Sequence, residues 1–168
     1  GRKFYVRVSP SSGSWGAVHC TYDLTVNQKK ASDWENEPNG TLSEANIIAT
    51  NKTYHGMHIN GEDTDCFQFT TSVRGYFQIQ FAHNAADNLS VGDGWNVSVL
   101  DANGEEIVSN SGITKNWTSI ALPYAEAGRK FYVKVSPNSG SWGAIHCTYD
   151  LTVKQTKAST WESEPNGT

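Results

Sequence analysis

Residues 128–153 read GRKFYVKVSPNSGSWGAIHCTYDLTV, and residues 1–26 read GRKFYVRVSPSSGSWGAVHCTYDLTV. Within this stretch apolar and polar residues alternate twice, over 130–135 (KFYVKV) and over 144–153 (AIHCTYDLTV), with the turn signal Pro137-Asn138-Ser139-Gly140 between them. Period-two alternation places every second side chain on one face, which is the pattern of a half-buried strand. The likeness continues to the end of the chain: residues 1–41 and 128–168 differ at only seven positions, such as Arg7 against Lys134 and Val18 against Ile145. One copy therefore starts 127 residues after the other, a period of ordinary single-domain size.

Working outward, the same alternation marks residues 66–71 (CFQFTT), 76–83 (YFQIQFAH), 95–100 (WNVSVL), 105–108 (EEIV) and 117–122 (WTSIAL). Turn signals such as Val91-Gly92-Asp93-Gly94, Asp101-Ala102-Asn103-Gly104 and Ser111-Gly112 separate them. Seven or eight short strands, each with one apolar face, need a second sheet to cover that face. The expectation is an all-β antiparallel sandwich, jelly-roll-like, repeated in tandem. A short turn over residues 42–48 is the single helical candidate, and residues 155–161 with their counterparts 28–34 are polar, aperiodic and read as linker.

The repeat sets the expected domains. Residues 1–27 are the closing strands of a preceding repeat, 28–41 a linker, 42–153 one sandwich, and 154–168 the linker to the next. Two isolated strands are at best marginal in water. Residues 1–27 therefore call for a sheet supplied by a neighbouring molecule or by more of a longer repeating chain.

Charged residues make up 18%, below the roughly 25% of average domains, and aromatics reach 11%. A net charge of -4 without a basic cluster argues against a nucleic-acid partner. No apolar run approaches the ~18–20 residues of a membrane-spanning helix. Cys20 and Cys147 are repeat equivalents, and Cys66 occurs once, so each full unit carries two cysteines. Cys66 with Cys147 is one pairing and would imply an oxidising, extracellular setting; buried thiols are the other reading. Cys20 would pair in a neighbouring repeat, or opposite Cys66 in a swapped arrangement. No CxxC, GxSxG or HExxH pattern is present.

Three motifs in order carry a family resemblance. Trp34-Glu35-Asn36-Glu37-Pro38-Asn39-Gly40-Thr41 is followed by Gly61-Glu62-Asp63-Thr64-Asp65-Cys66-Phe67-Gln68-Phe69 and later by Gly128-Arg129-Lys130-Phe131-Tyr132-Val133-Lys134-Val135. Over residues 34–153 this resembles the bacterial pre-peptidase C-terminal (PPC) domain, which includes the collagen-binding domains of secreted collagenases. The resemblance implies a non-catalytic β-sandwich of a secreted or surface protein. It also implies a calcium site in which Glu35, Glu37 and Asn39 match the boundary ligands and Asp63 and Asp65 match the acidic turn. Glu162, Glu164 and Asn166 would serve the next repeat. A hard cation wants six to eight oxygens, which four carboxylates, an amide and backbone carbonyls can supply.

Asn51, Asn88, Asn96 and Asn116 head glycosylation sequons, and Asn39 heads another that competes with the calcium reading. Trp15, Trp142, Trp95 and Trp117 could form a sugar platform, with core or turn packing favoured. His55 and His58 read as loop. The sum is a non-enzymatic extracellular repeat forming a calcium-stiffened stalk, fibre or surface filament by head-to-tail association. The alternative is a carbohydrate- or collagen-binding module appended to a secreted hydrolase.

Overall fold

Within residues 66–153 the strands read from alternation form, and those carrying Phe67, Ile79, Val97, Val133 and Leu151 turn their apolar side inward, whereas Ile107 is exposed. The computed structural model describes residues 4–11, 20–27, 31–83, 94–115, 117–138 and 147–158, with the backbone alone for 117–123. Its described residues contain nine strands: β1 Asn46–Ile47, β2 Thr53–Met57, β3 Asp65–Thr70, β4 Gly75–His83, β5 Trp95–Leu100, β6 Glu106–Ile113, β7 Trp117–Ala125, β8 Lys130–Pro137 and β9 Thr148–Lys157. They form one sheet in the order β1-β3-β8-β5-β6 and another in the order β2-β9-β4-β7. From β2 onward, the first strand lies beside the last and the second beside the next to last, which is jelly-roll order.

The alternate residues of β4 (Phe77, Ile79, Phe81) and β5 (Trp95, Val97, Val99) are buried, as are Phe67 and Phe69 of β3. They meet across the layers: Phe69 lies 5.9 Å from Phe77, Phe81 5.9 Å from Trp95, and Phe77 6.1 Å from Phe131, ring centre to ring centre. Each such side chain contributes roughly 1.5–3 kcal/mol by leaving water. Trp95 is thus core and not a sugar platform. Phe131 and Tyr132, expected on opposite faces, are both buried; the Lys130 ammonium lies 5.5 Å from the centre of the outward Tyr132 ring.

Three expectations need correction. The helical turn over 42–48 is a single turn closed by Glu44 N–H donating to Thr41 O (3.1 Å), after which β1 runs parallel to β3. Gln155 to Lys157, placed in the linker, extend β9: Gln155 is buried and its amide donates to Val73 O while accepting from Ser72. Of His55 and His58, both read as loop, His55 belongs to a strand, and His58 follows that strand in a loop but is buried in the sandwich. His55 lies on β2 with Nδ1 2.6 Å from Asp150 Oδ1, and His58 is wholly buried.

Residues 1–31 form a unit separate from residues 32–168. Its described residues, 4–11, 20–27 and 31, carry no strand, and Phe4, Tyr5, Leu24 and Val26 are exposed by 81, 85, 55 and 74%. Their counterparts Phe131, Tyr132, Leu151 and Val153 are buried. The same residues thus take opposite states according to whether a sheet flanks them.

Candidate metal centre

The segment expected as a loose linker with the ExEPN motif is held on the sandwich by its backbone. Trp34 bridges His55 of β2; Glu35 N–H donates to His55 O (2.9 Å) and His55 N–H to Asp33 O (2.7 Å). Further on, Cys66 N–H of β3 donates to Asn39 O (2.9 Å). Residues 33–39 therefore strap the edge of one sheet to a strand of the other. That strap brings Glu35, Glu37 and Asn39 to Asp65, the first residue of β3.

One oxygen each from Glu35, Glu37 and Asp65 can lie within 4.8 Å of the others, and Asp65 and Asn39 are wholly buried. One corner of the Asn39 amide is 3.1 Å from Glu37 Oε2 and 3.2 Å from Asp65 Oδ1; the other is 3.4 Å from Glu35 Oε2. Three carboxylates thus ring one amide. With nitrogen at the first corner, Asn39 donates to two of them; with oxygen there, the oxygens repel unless a cation lies among them. Hard oxygen donors of this kind suit calcium or magnesium over softer metals.

Electrostatics report the same crowding. Burial, followed by the Asp65 charge, pushes the Glu35 carboxyl up to about 8 from 4.5. Glu35 Oε1 accepts Met57 N–H at 2.8 Å, which fixes its rotamer. Behind Asp65 stands Tyr149 of β9, whose hydroxyl donates to Asp65 Oδ2, and burial with the Asp65 and Glu35 charges raises its phenol well above 10. His58 Nε2 lies 3.2 Å from the same Asp65 oxygen. Tyr149 and His58 were not foreseen as neighbours of this cluster, because Tyr149 reads as one apolar member of a strand and His58 as loop.

The other sequence-stated sites divide. Asp63 stays outside the trio and accepts Ile59 N–H at 2.7 Å, closing the turn before β3. Cys66 is a buried thiol, pushed up by burial, with no bond to Cys147, which packs half-buried against the core; Cys20 is exposed. Asn51 is exposed, but its side chain is engaged with the Gln155 backbone, accepting N–H at 3.0 Å and donating to O at 3.4 Å. Asn96 is half-buried on β5 and accepts Gly112 N–H (3.2 Å); buried Asn39 is closed to a glycan. Asn88, Asn116, Trp15, Trp142, Glu162, Glu164 and Asn166 lie outside the described residues, as does the side chain of Trp117. Among the described residues no helix is long and apolar enough to cross a membrane.

No family model and no curated protein matches the chain. Among solved structures it is similar to the pre-peptidase C-terminal domain of a collagenase from Bacillus anthracis, at 23% identity over 71% of this chain and 100% of that one, with a TM-score of 0.49. It is similar to the mitogen of Yersinia pseudotuberculosis at 16% identity, over 67% and 90% of the two chains (TM-score 0.41). A family 35 carbohydrate binding module from an environmental isolate matches at 10% identity, over 68% and 89% (TM-score 0.34). The first of these carries the name of the domain type that the motifs of residues 34–69 and 128–135 resemble.

Proposed function

We propose that this chain is a non-enzymatic module of an extracellular tandem-repeat protein whose sandwiches follow one another head to tail in a calcium-stiffened stalk, fibre or surface filament. The observation that carries the reading is the position of the oxygen cluster. Glu35, Glu37 and Asn39 belong to the segment where one copy of the repeated sequence hands over to the next unit. On this reading residues 1–27 close the preceding unit, and Glu162, Glu164 and Asn166 begin the next site. Calcium at the millimolar level outside cells matches the ~10⁻⁴–10⁻³ M affinities of extracellular modules. In the same compartment Cys66 would be free to bond Cys147, and Cys20 its equivalent partner in the neighbouring repeat.

The test is thermal unfolding of the whole chain with chelator and with calcium. A ligand that binds only the folded state at a hundred times its dissociation constant adds about 2.7 kcal/mol. A rise of several degrees is expected, lost in Asp65→Asn. A melting temperature that ignores calcium overturns the site.

A second reading, attachment to a polysaccharide or matrix protein, is favoured by Trp34. Its side chain is 41% exposed, 5.5 Å from the His55 ring, and it lines a cleft with Asn36 and Asn46. Retardation in polysaccharide gels, abolished by Trp34→Ala, is the result this reading expects.

A further inference from the structure

The two copies of the closing strands differ only where the fold does not look. Phe131, Val133, Tyr149 and Leu151 fill the core, and the first copy has Phe4, Val6, Tyr22 and Leu24 at those places. Buried Thr152 and Gln155 are likewise matched by Thr25 and Gln28. Within β8 and β9 the copies differ at Lys134 (Arg7), Lys154 (Asn27) and Thr156 (Lys29), and all three positions are exposed. The slot between β3 and β5 in one sheet, and between β2 and β4 in the other, has no buried side chain by which to tell the copies apart.

Chain length decides which body the first copy can enter. A body grips its own chain at Trp34, beside His55, and His55 is registered with Asp150 across β2 and β9. Lys157, the counterpart of Lys30, lies seven residues further along β9, about 23 Å at ~3.3 Å per strand residue. The four steps from Lys30 to Trp34 reach at most about 14 Å at ~3.6 Å each. Residues 20–30 therefore cannot lie in the full β9 slot of their own body, whereas they meet no such limit in another.

We infer that residues 1–30 are a donor segment for a second copy of this chain: they insert as the two central strands of its sandwich whenever that body lacks its own β8 and β9. This rests on reading residues 1–27 as a unit's closing strands, and it is independent of calcium. In the intact chain the tethered β8 and β9 win through their high effective concentration, which leaves the first copy exposed as observed. Once a donor is inserted, its own body follows after the same two residues (31–32) that would join covalent repeats (158–159). The contact is heterologous, so exchange builds a head-to-tail chain with the spacing of the covalent array, open unless the rotation per unit closes it into a ring.

Three variants of the full chain, in chelator, test this by light scattering across protein concentrations and by melting. Val6→Asp with Leu24→Asp is expected to remain monomeric with an unchanged melting temperature. Val133→Asp with Leu151→Asp is expected to fold only as head-to-tail oligomers that grow with concentration. All four changes together are expected to leave the chain unfolded. A Val133→Asp, Leu151→Asp chain that is unfolded at every concentration, or folded as a monomer, overturns the inference. The reading beneath it is checked separately by converting the second copy into the first with Lys134→Arg, Asn138→Ser, Ile145→Val, Lys154→Asn and Thr156→Lys. Retained stability there shows that the first copy's sequence can close a sandwich, whatever happens between molecules.

Discussion

At Glu35 the fold holds a carboxyl in its protonated state, because burial and the neighbouring Asp65 both oppose its charge. The folded protein then binds more protons than the unfolded one between about 4.5 and about 8, so its stability falls as pH rises through that window. His83 acts in the opposite sense: burial pushes its imidazole below 6.5, so stability is lost as pH falls beneath that value. The window from about 6.5 to 8 thus isolates Glu35. In chelator, calorimetry should show the melting temperature falling across it, and Glu35→Gln should flatten the fall. Calcium should bind more tightly at the upper end, since a cation takes the ionised carboxylate and releases the proton. A melting temperature that rises over this range in chelator would contradict the burial of Glu35 beside Asp65.

Among the elements, β2 shows why a strand can be illegible in its own residues. Thr53–Met57 has no alternating apolar face, and its one buried position is Gly56. A β-carbon there would lie 2.3 Å from the Tyr149 ring, so β2 is a strand because β9 presents a tyrosine that needs a bare backbone beside it. Gly56→Ala should therefore displace Tyr149 from Asp65, lower stability by roughly 1–3 kcal/mol as overpacking does, and weaken any calcium response with it. Near-ultraviolet circular dichroism and melting would report both. The strands with a real apolar face, β3 to β5 and β8, were readable from alternation, and so was the sandwich. Gln155 was not: its polarity suggests linker, but it serves the Asn51 turn and the residues 72–73 turn from inside the core. Gln155→Ala should cost about 1–3 kcal/mol, the penalty for stranding buried partners, and a melting temperature unchanged by it would return residue 155 to the linker. Of the candidate site, the ligand types were legible through the resemblance, whereas the roles of His58 and Tyr149 depend on sheet order, which no local pattern encodes.

For the whole molecule, on the proposed tandem reading, the decisive quantity is how much chain is left between successive units. The sequence suggested a joint spanning residues 28–41, long enough to be floppy without an ion. Strand β9 instead runs to Lys157 and Ala158 N–H is held by Arg74 O, and on the proposed reading the following body would grip the repeat equivalents of residues 33–35 through β2, so the joint would shrink to the two residues 158 and 159. A cation bound by Glu35, Glu37, Asn39 and Asp65 would act inside one unit, fixing the strap from residue 33 to 39 on which the joint is mounted. Its mechanical effect would come from keeping that strap from peeling, which would lengthen the joint by the residues released. Two complete units in series should then scatter X-rays as an extended, narrowly distributed pair in calcium. Chelation should broaden the distance distribution and shorten its mean, most at alkaline pH where Glu35 and Asp65 repel. Glu35→Gln should blunt the response to pH, because the neutral amide keeps the strap in place without a cation. If the distribution were the same in calcium and in chelator at every pH, the strap would be firm by its backbone bonds alone, and stiffness in the array would owe nothing to the metal.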